Sequence, residues 1–171
     1  AGDAITSTQT IYVYGETGTT PNCSDENSFV VTINTTPSVD SPSDVTICDS
    51  YTLPALTSGA YYTGAGGTGT VLSAGDAITS TQTIYVYEET GTTPNCSDEN
   101  SFVVTINASP SVDSPSDVTM CDSYTLPALT SGTYYTGAGG TGTVLNAGDA
   151  ITSTQTIYVY GETGTTPNCS D

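Results

Sequence analysis

The feature that most constrains this chain is a near-identical repeat of 73 residues. Residues 1–37 recur at 74–110 with three substitutions, and residues 38–98 recur at 111–171 with four. The identity extends through loops as well as through apolar segments. A catalytic site does not need to be copied in this way, whereas a spacer, a stalk or a multivalent array does. The repeat therefore predicts a structural role.

Composition excludes several classes of function. The chain has 18 acidic residues and no Lys, Arg or His, so its formal net charge is −18. No imidazole or amine is present for general-base catalysis or Schiff-base chemistry, and we predict that the protein is not an enzyme. Nucleic-acid binding is not expected, because its affinity comes from basic side chains that neutralise phosphates. No apolar run approaches the ~20 residues that span a bilayer, so we expect no membrane insertion.

Two Pro- and Ser-rich segments mark the expected boundaries between repeats. They lie at 34–44 and 107–117, and both are typical of linkers. We therefore predict one complete repeat over residues 38–110. It is flanked by the C-terminal half of a repeat over 1–37 and by a repeat lacking its last strand over 111–171.

Short apolar segments within the complete repeat predict strands and no helix. Ile84 and Val86 are expected on one face of the clearest strand, with Tyr85 and Tyr87 on the other. The predicted strands are 45–48, 51–56, 60–63, 69–72, 82–87 and 101–107, the third and fourth forming a hairpin around a Gly-rich turn. This spacing predicts an all-β fold of tandem immunoglobulin-like β-sandwich repeats of 73 residues.

The five cysteines fall into two classes. Each repeat contributes an early cysteine (Cys48, Cys121) and a late cysteine (Cys23, Cys96, Cys169). Zinc ligation is not expected, because the chain has neither a Cys-x-x-Cys spacing nor a histidine. Two disulfide patterns use four of the five cysteines: Cys48–Cys96 with Cys121–Cys169, or Cys23–Cys48 with Cys96–Cys121.

Strand length favours pairing inside each repeat. Cys23 precedes the last strand of its repeat, which runs roughly 30 Å away before the next repeat begins. Bridged Cα atoms lie within ~7 Å of each other, so a Cys23–Cys48 bond is not expected. We therefore predict Cys48–Cys96 and Cys121–Cys169, with Cys23 bonded to a cysteine upstream. Disulfides of this kind indicate an oxidising, extracellular location.

Calcium is the cofactor to consider, because a chain without basic residues must balance its own negative charge. Carboxylate oxygens are the ligands that this ion prefers. No EF-hand spacing is present, and the alternative is an acidic surface screened by monovalent ions. The candidate ligands are Asp40, Asp44, Asp49, Asp98 and Glu99.

Paired tyrosines offer a surface for stacking on sugars. The candidate residues are Tyr61, Tyr62, Tyr85 and Tyr87, in two of the predicted strands. Tyrosines in this arrangement more often contribute packing, with the ring partly buried. A carbohydrate-binding module is therefore an alternative function and not the leading one.

Five stretches of the central repeat carry a resemblance to a known type of protein. They are Cys48-Asp-Ser-Tyr-Thr-Leu-Pro-Ala-Leu56, Tyr61-Tyr-Thr-Gly64, Gly75-Asp76 with Gln82-Thr-Ile-Tyr-Val-Tyr87, Thr92-Thr-Pro-Asn-Cys-Ser-Asp98 and Phe102-Val-Val-Thr-Ile106. Together they resemble the immunoglobulin-like repeats of very large secreted surface proteins of Bacteroidetes bacteria. Those proteins include gliding-motility-associated adhesins exported by the type IX secretion system. The resemblance implies extracellular display at the cell surface and an adhesive or filament-building role.

These observations predict a structural segment of a long extracellular bacterial adhesin or surface filament, acting as a rigid disulfide-stapled stalk. The first alternative is a self-assembling filament subunit with lateral contacts between repeats, and the second is the carbohydrate-binding module. The expected partners are neighbouring repeats of the same chain, with other copies of the filament and surface glycans as further candidates.

Overall fold

The computed structural model describes residues 2–171, and the chain is all-β, as predicted. No described residue lies in a helix, so none of these segments is a helix able to cross a bilayer. The strands are β1 (Gln9–Glu16), β2 (Ser24–Val31), β3 (Val45–Cys48), β4 (Tyr51–Thr52), β5 (Ala60–Gly64), β6 (Thr68–Leu72), β7 (Ala77–Ile78), β8 (Gln82–Glu89), β9 (Ser97–Asn107), β10 (Tyr124–Thr125), β11 (Thr133–Gly137), β12 (Thr141–Leu145), β13 (Ala150–Ile151) and β14 (Tyr158–Tyr160).

The strands of residues 38–110 form two sheets. One has five strands in the order β3-β9-β8-β5-β6, and the other pairs β4 with β7. Strand β3 runs parallel to β9, with Val45 opposite Val104 and Cys48 opposite Asn107. The predicted strand over 51–56 is shorter than expected, because only Tyr51–Thr52 pairs before Pro54. The Gly-rich segment after β5 is the predicted hairpin turn.

Alternation along the strands builds the core, as the sequence predicts. Ile84 and Val86 on β8 are fully buried, whereas the tyrosines between and after them are only half-buried. Phe102 and Val104 on β9 are buried in the same alternating pattern. Leu53, next to β4, is also buried. Side chains on one face of each strand therefore supply the apolar interior.

The same sequence is buried in one copy of the repeat and exposed in another. Strands β1 and β2 form a two-stranded hairpin that corresponds to β8 and the start of β9. Phe29 in this hairpin is 54% exposed, whereas the corresponding Phe102 is 1% exposed. The apolar face of these two strands is therefore covered only where the other strands of a repeat are present.

The C-terminal copy lacks two of the strands found in the central one. Residues 111–171 contain the sheets β12-β11-β14 and β10-β13. Val118–Cys121 has nearly the sequence of β3 but is not a strand. Strand β3 pairs with β9, and most of the segment corresponding to β9 would lie beyond residue 171. A parallel edge strand does not form without its partner.

The chain divides into two compact units, each built from discontinuous segments. The first consists of residues 1–41, 56–71 and 85–100, and the second of residues 42–55, 72–84 and 101–171. Each unit thus contains segments from two of the predicted repeats. The repeat boundaries at residues 38 and 111 stay a prediction from the sequence.

Candidate functional site: a disulfide junction between repeats

A disulfide joins Cys48 to Cys169, across 121 residues of sequence. Cys48 is the last residue of β3, and Cys169 lies in the second half of the C-terminal copy. Their Cα atoms are 5.6 Å apart, which is the usual separation for a bridged pair. The bond therefore links the early cysteine of one predicted repeat to the late cysteine of the next.

This bridge corrects the disulfide pairing expected from the sequence. Neither Cys48–Cys96 nor Cys121–Cys169 is formed, and Cys23, Cys96 and Cys121 are free thiols. The reason is the parallel pairing of β3 with β9, which places Cys48 at the C-terminal end of β9. Cys96 immediately precedes the other end of this strand of 11 residues, roughly 36 Å away at ~3.3 Å per residue.

A Cys48–Cys96 bond would require the early cysteine to lie near the start of the last strand of its repeat. Strand β3 begins the repeat but ends beside Asn107, where the repeat finishes. Neither of the two disulfide patterns expected from the sequence pairs an early cysteine with the late cysteine of the following repeat. The spacing of Cys48 and Asn107 alone carries no signal of this contact.

A hydrogen-bonded loop holds Cys169 in place. Thr163 N–H donates to the Cys169 carbonyl at 2.9 Å, and Cys169 N–H donates to Thr163 Oγ1 at 3.1 Å. Asn168 accepts from Gly164 N–H at 2.8 Å and donates to Glu162 at 2.7 Å. Cys169 itself is buried. The loop thus fixes the sulfur atom through local contacts that do not involve Cys48.

On the other side of the bridge, next to Cys48, the Asp49 carboxylate accepts hydrogen bonds from the segment that follows β9. The φ of 60° at Asp49 turns the chain sharply after Cys48, and its N–H donates to the Asn107 carbonyl at 2.9 Å. Ser109 donates twice to the Asp49 carboxylate, from N–H at 2.8 Å and from Oγ–H at 2.7 Å. These two hydrogen bonds, the backbone one contributing most, hold the pKa of Asp49 below its ordinary value. The ionised carboxylate therefore fastens the expected linker to β3.

The lowered pKa of Asp49 predicts a stability term that depends on pH. An acid whose pKa is lower in the folded chain stabilises it above its unfolded pKa, and the contribution is lost as pH falls through the folded pKa. The Asp49→Asn variant keeps a side chain that tolerates positive φ but removes the charge. We expect wild type to exceed this variant in free energy of unfolding above about pH 5, with the difference shrinking below about pH 4.

Urea titrations of both proteins between about pH 2 and pH 7 measure this difference. Asp122→Asn is the matched control, since Asp122 has the same turn, with φ 66°, and no residue corresponding to Ser109 follows it before residue 171. A difference that persisted unchanged to the lowest pH would contradict the assignment.

The calcium candidates are not gathered into one site. Within residues 2–171, no group of three or more acidic or cysteine side chains is close enough to hold a metal ion. Each candidate carboxylate instead accepts a backbone N–H. The pairs are Asp40 with Thr57, Asp44 with Val103, Asp49 with Ser109, Asp98 with Val39, and Glu99 with Gly66. Backbone amides thus take the place of the basic partners that this chain lacks.

The tyrosines predicted to share a surface are divided by burial. Tyr61 is buried in the core, whereas Tyr62, Tyr85 and Tyr87 are half-buried. Tyr62 and Tyr87 meet edge to face with ring centroids 6.1 Å apart, beside an open groove of about 440 Å³. Their contact is ordinary aromatic packing, with one face of the groove formed by the Gly-rich turn.

The junction is therefore the most developed site in the described part of the chain. It combines a covalent bond, a loop that presents Cys169 and a carboxylate that fastens the segment after β9. No protein-family model, no curated protein and no solved structure matches the chain.

Proposed function

We propose that this chain is a structural segment of a long extracellular bacterial adhesin or surface filament, and that it acts as a disulfide-stapled stalk. The observation that carries the proposal is the Cys48–Cys169 bond, which joins one copy of the repeat to the next. A bond in that position strengthens a tandem array, because it ties one copy of the repeat covalently to the next. The proposed role is non-enzymatic.

The mechanical consequence follows from where the bond lies in the chain. Tension applied at the two ends passes from Cys48 to Cys169 through the sulfur atoms. The intervening residues are then shielded from extension, even when their strands separate. A stalk built in this way keeps its length under load, which is what holding an adhesive tip away from a cell requires.

The sheet order supports an immunoglobulin-like sandwich as the proposed repeat. In variable-type immunoglobulin domains, strands G, F, C and C′ are neighbours in one sheet. The order β9-β8-β5-β6 has the same pattern, with β4 and β7 in a separate sheet. This agrees with the resemblance to the repeats of secreted Bacteroidetes surface proteins.

The disulfide also supports the proposed location. Disulfides persist in oxidising compartments and are rare where thiols are kept reduced. Export to the cell surface would meet this requirement. The absence of Lys and Arg adds an advantage there, because proteases specific for basic residues have no cleavage site in the chain.

Single-molecule pulling from the two termini tests the stalk proposal. With the bond intact, the 121-residue separation cannot extend, so the unfolded contour is shorter by about 400 Å at ~3.5 Å per residue. A reducing agent should restore that length, and the Cys48→Ser/Cys169→Ser double variant should show it from the start. An untreated wild-type chain that extended as far as the double variant would contradict the proposal.

Self-assembly into a filament is the second candidate. The observation that favours it is the exposed apolar face of the β1–β2 hairpin, which includes Val13 and Phe29. The corresponding face in the central repeat is covered by other strands, and a second copy of the chain carries the same strands. Sedimentation at increasing protein concentration tests this candidate. A monomeric mass throughout would exclude it in favour of the stalk.

A further inference from the structure

Two of the free cysteines have the same local contacts as the two bonded cysteines, Cys48 and Cys169. The first is Cys96. Its N–H donates to Thr90 Oγ1 at 3.1 Å, the distance found between Cys169 and Thr163. Its Sγ lies 3.8 Å from the Asn34 carbonyl oxygen, as the bridged sulfur of Cys169 lies 3.6 Å from the Asn107 carbonyl oxygen. Cys96 is therefore held as Cys169 is, but without a bonded partner.

The loop that precedes Cys96 is built by the same contacts as the loop that precedes Cys169. Gly91 N–H donates to Asn95 Oδ1 at 3.0 Å, and Asn95 Nδ2 donates to Glu89 at 2.8 Å. In addition, the side chain of Asn34 donates to Thr92 Oγ1 at 2.9 Å and to the Pro94 carbonyl at 2.8 Å. The segment after β2 therefore docks on this loop and fixes the position where a bridge would form.

The other free half of a junction is Cys121, an early cysteine. Asp122 has φ 66°, close to the 60° of Asp49, and Ser123 N–H donates to the Cys121 carbonyl at 2.8 Å. The corresponding bond from Ser50 to Cys48 measures 2.7 Å. The turn that presents an early cysteine therefore forms even where the neighbouring strand does not. Cys121 is exposed.

We propose that the early cysteine of every repeat bonds to the late cysteine of the following repeat, so that the array carries a ladder of overlapping disulfides. Cys96 is then the disulfide partner of an early cysteine in the preceding repeat. Cys121 is the disulfide partner of a late cysteine in the following repeat. Cys23 is a late cysteine of the same kind as Cys96. Within residues 1–171, only Cys48 and Cys169 stand in the required order, and they are the bonded pair.

The chemistry is ordinary thiol oxidation. Two thiols lose two protons and two electrons and form one sulfur–sulfur bond, while a small-molecule disulfide such as oxidised glutathione accepts the electrons and becomes two thiols. The inference rests on the geometry of the cysteines and not on the stalk function. A chain could carry the ladder and still serve another structural purpose.

The test is a chain lengthened by one repeat. A second copy of residues 26–98 is added after Asp171, which continues the pattern without a break and adds one early and one late cysteine. The ladder predicts one new bond, between Cys121 and the added late cysteine. The present chain has five cysteines, of which one pair is bonded and three are thiols. The added repeat brings two more cysteines and, in the ladder, one more bond, so the number of free thiols stays at three. Pairing inside each repeat predicts a single thiol.

Chymotryptic peptides identify the new bond under non-reducing conditions. The Cys121 peptide, residues 103–124, contains Met120, whereas the added early cysteine has isoleucine at the corresponding place. The added late cysteine lies in a C-terminal peptide of its own. Linkage of these two peptides is the expected result. Linkage of the added late cysteine to the isoleucine-containing peptide, which Cys48 and the added early cysteine share, or of Cys121 to Cys96, would overturn the proposal.

Two further chains provide separate tests, so that the result does not depend on whether a single lengthened chain folds. Cys121→Ser in the lengthened chain should leave the added late cysteine as a thiol while the Cys48–Cys169 bond persists. In a chain with one repeat added before residue 1, the added early cysteine should form a disulfide bond with Cys96. A lengthened chain that kept the Cys48–Cys169 bond and formed no second bond would also overturn the proposal.

Discussion

Replacing Cys48 and Cys169 together by serine is expected to lower the free energy of unfolding by about 5 kcal/mol. The bond closes a loop of 121 residues, and a cross-link over so long a loop removes much of the conformational entropy of the unfolded chain. Urea titration followed by circular dichroism measures the change. Both cysteines are replaced so that no unpaired sulfur remains to bond elsewhere.

The repeat supplies the matched control for this variant. Cys121 corresponds to Cys48 and Cys96 corresponds to Cys169, but neither is bonded. The Cys96→Ser/Cys121→Ser double variant makes the same chemical change at the same places in the repeat. Its effect is expected to stay within about 1 kcal/mol. Equal losses in the two double variants would show that the disulfide does not stabilise the chain.

The second large effect is expected at Phe102. Truncation to alanine removes a fully buried ring from β9 and leaves a cavity, which typically lowers the free energy of unfolding by about 3–5 kcal/mol. The matched change is Phe29→Ala, because residues 28–34 and 101–107 have the same sequence. Phe29 is more than half exposed, so its truncation is expected to cost less than about 1 kcal/mol.

Comparing the two alanine variants separates burial from local sequence. Any effect of intrinsic strand propensity is common to both positions, since their neighbours along the chain are identical. The difference between the variants therefore measures the packing that strands β3 to β8 provide around Phe102. Similar losses at both positions would mean that the hairpin β1–β2 is covered in solution, as the filament candidate requires.

Local pattern was enough to predict six of the seven strands of the central repeat, and the short strand β7 (Ala77–Ile78) was missed. Alternation of apolar and polar residues at Ile84 to Tyr87 specifies which side chains face the core, and the structure agrees. The turn after β5 was predictable for the same reason, because its glycines supply the backbone freedom that a tight hairpin needs. These features depend on neighbours within a few residues.

Strand pairing was not predictable from local pattern. Val45–Cys48 and Val118–Cys121 differ by one apolar substitution, yet only the first is a strand. What decides is the presence of β9, more than 50 residues further along the chain. The disulfide follows from the same non-local pairing, and for that reason it was assigned to the wrong partner.

The hydrogen-bond partners of the acidic residues also could not be predicted from the sequence. Asp44 accepts from Val103 N–H and Asp98 accepts from Val39 N–H, in each case across 59 residues. Composition showed that these carboxylates have no basic partner, which suggested a metal ion. It could not show that backbone amides from distant strands would supply the positive ends of their hydrogen bonds.

A non-reducing chymotryptic map of the chain tests the central claim most directly. The three late cysteines fall in peptides of different mass, residues 15–29, 88–102 and 161–171, and Cys48 falls in residues 30–51. The expected result is a cross-link between residues 30–51 and 161–171, with three alkylated thiols on the remaining cysteines. A cross-link between residues 30–51 and 88–102 would place the bond inside one repeat and contradict the junction.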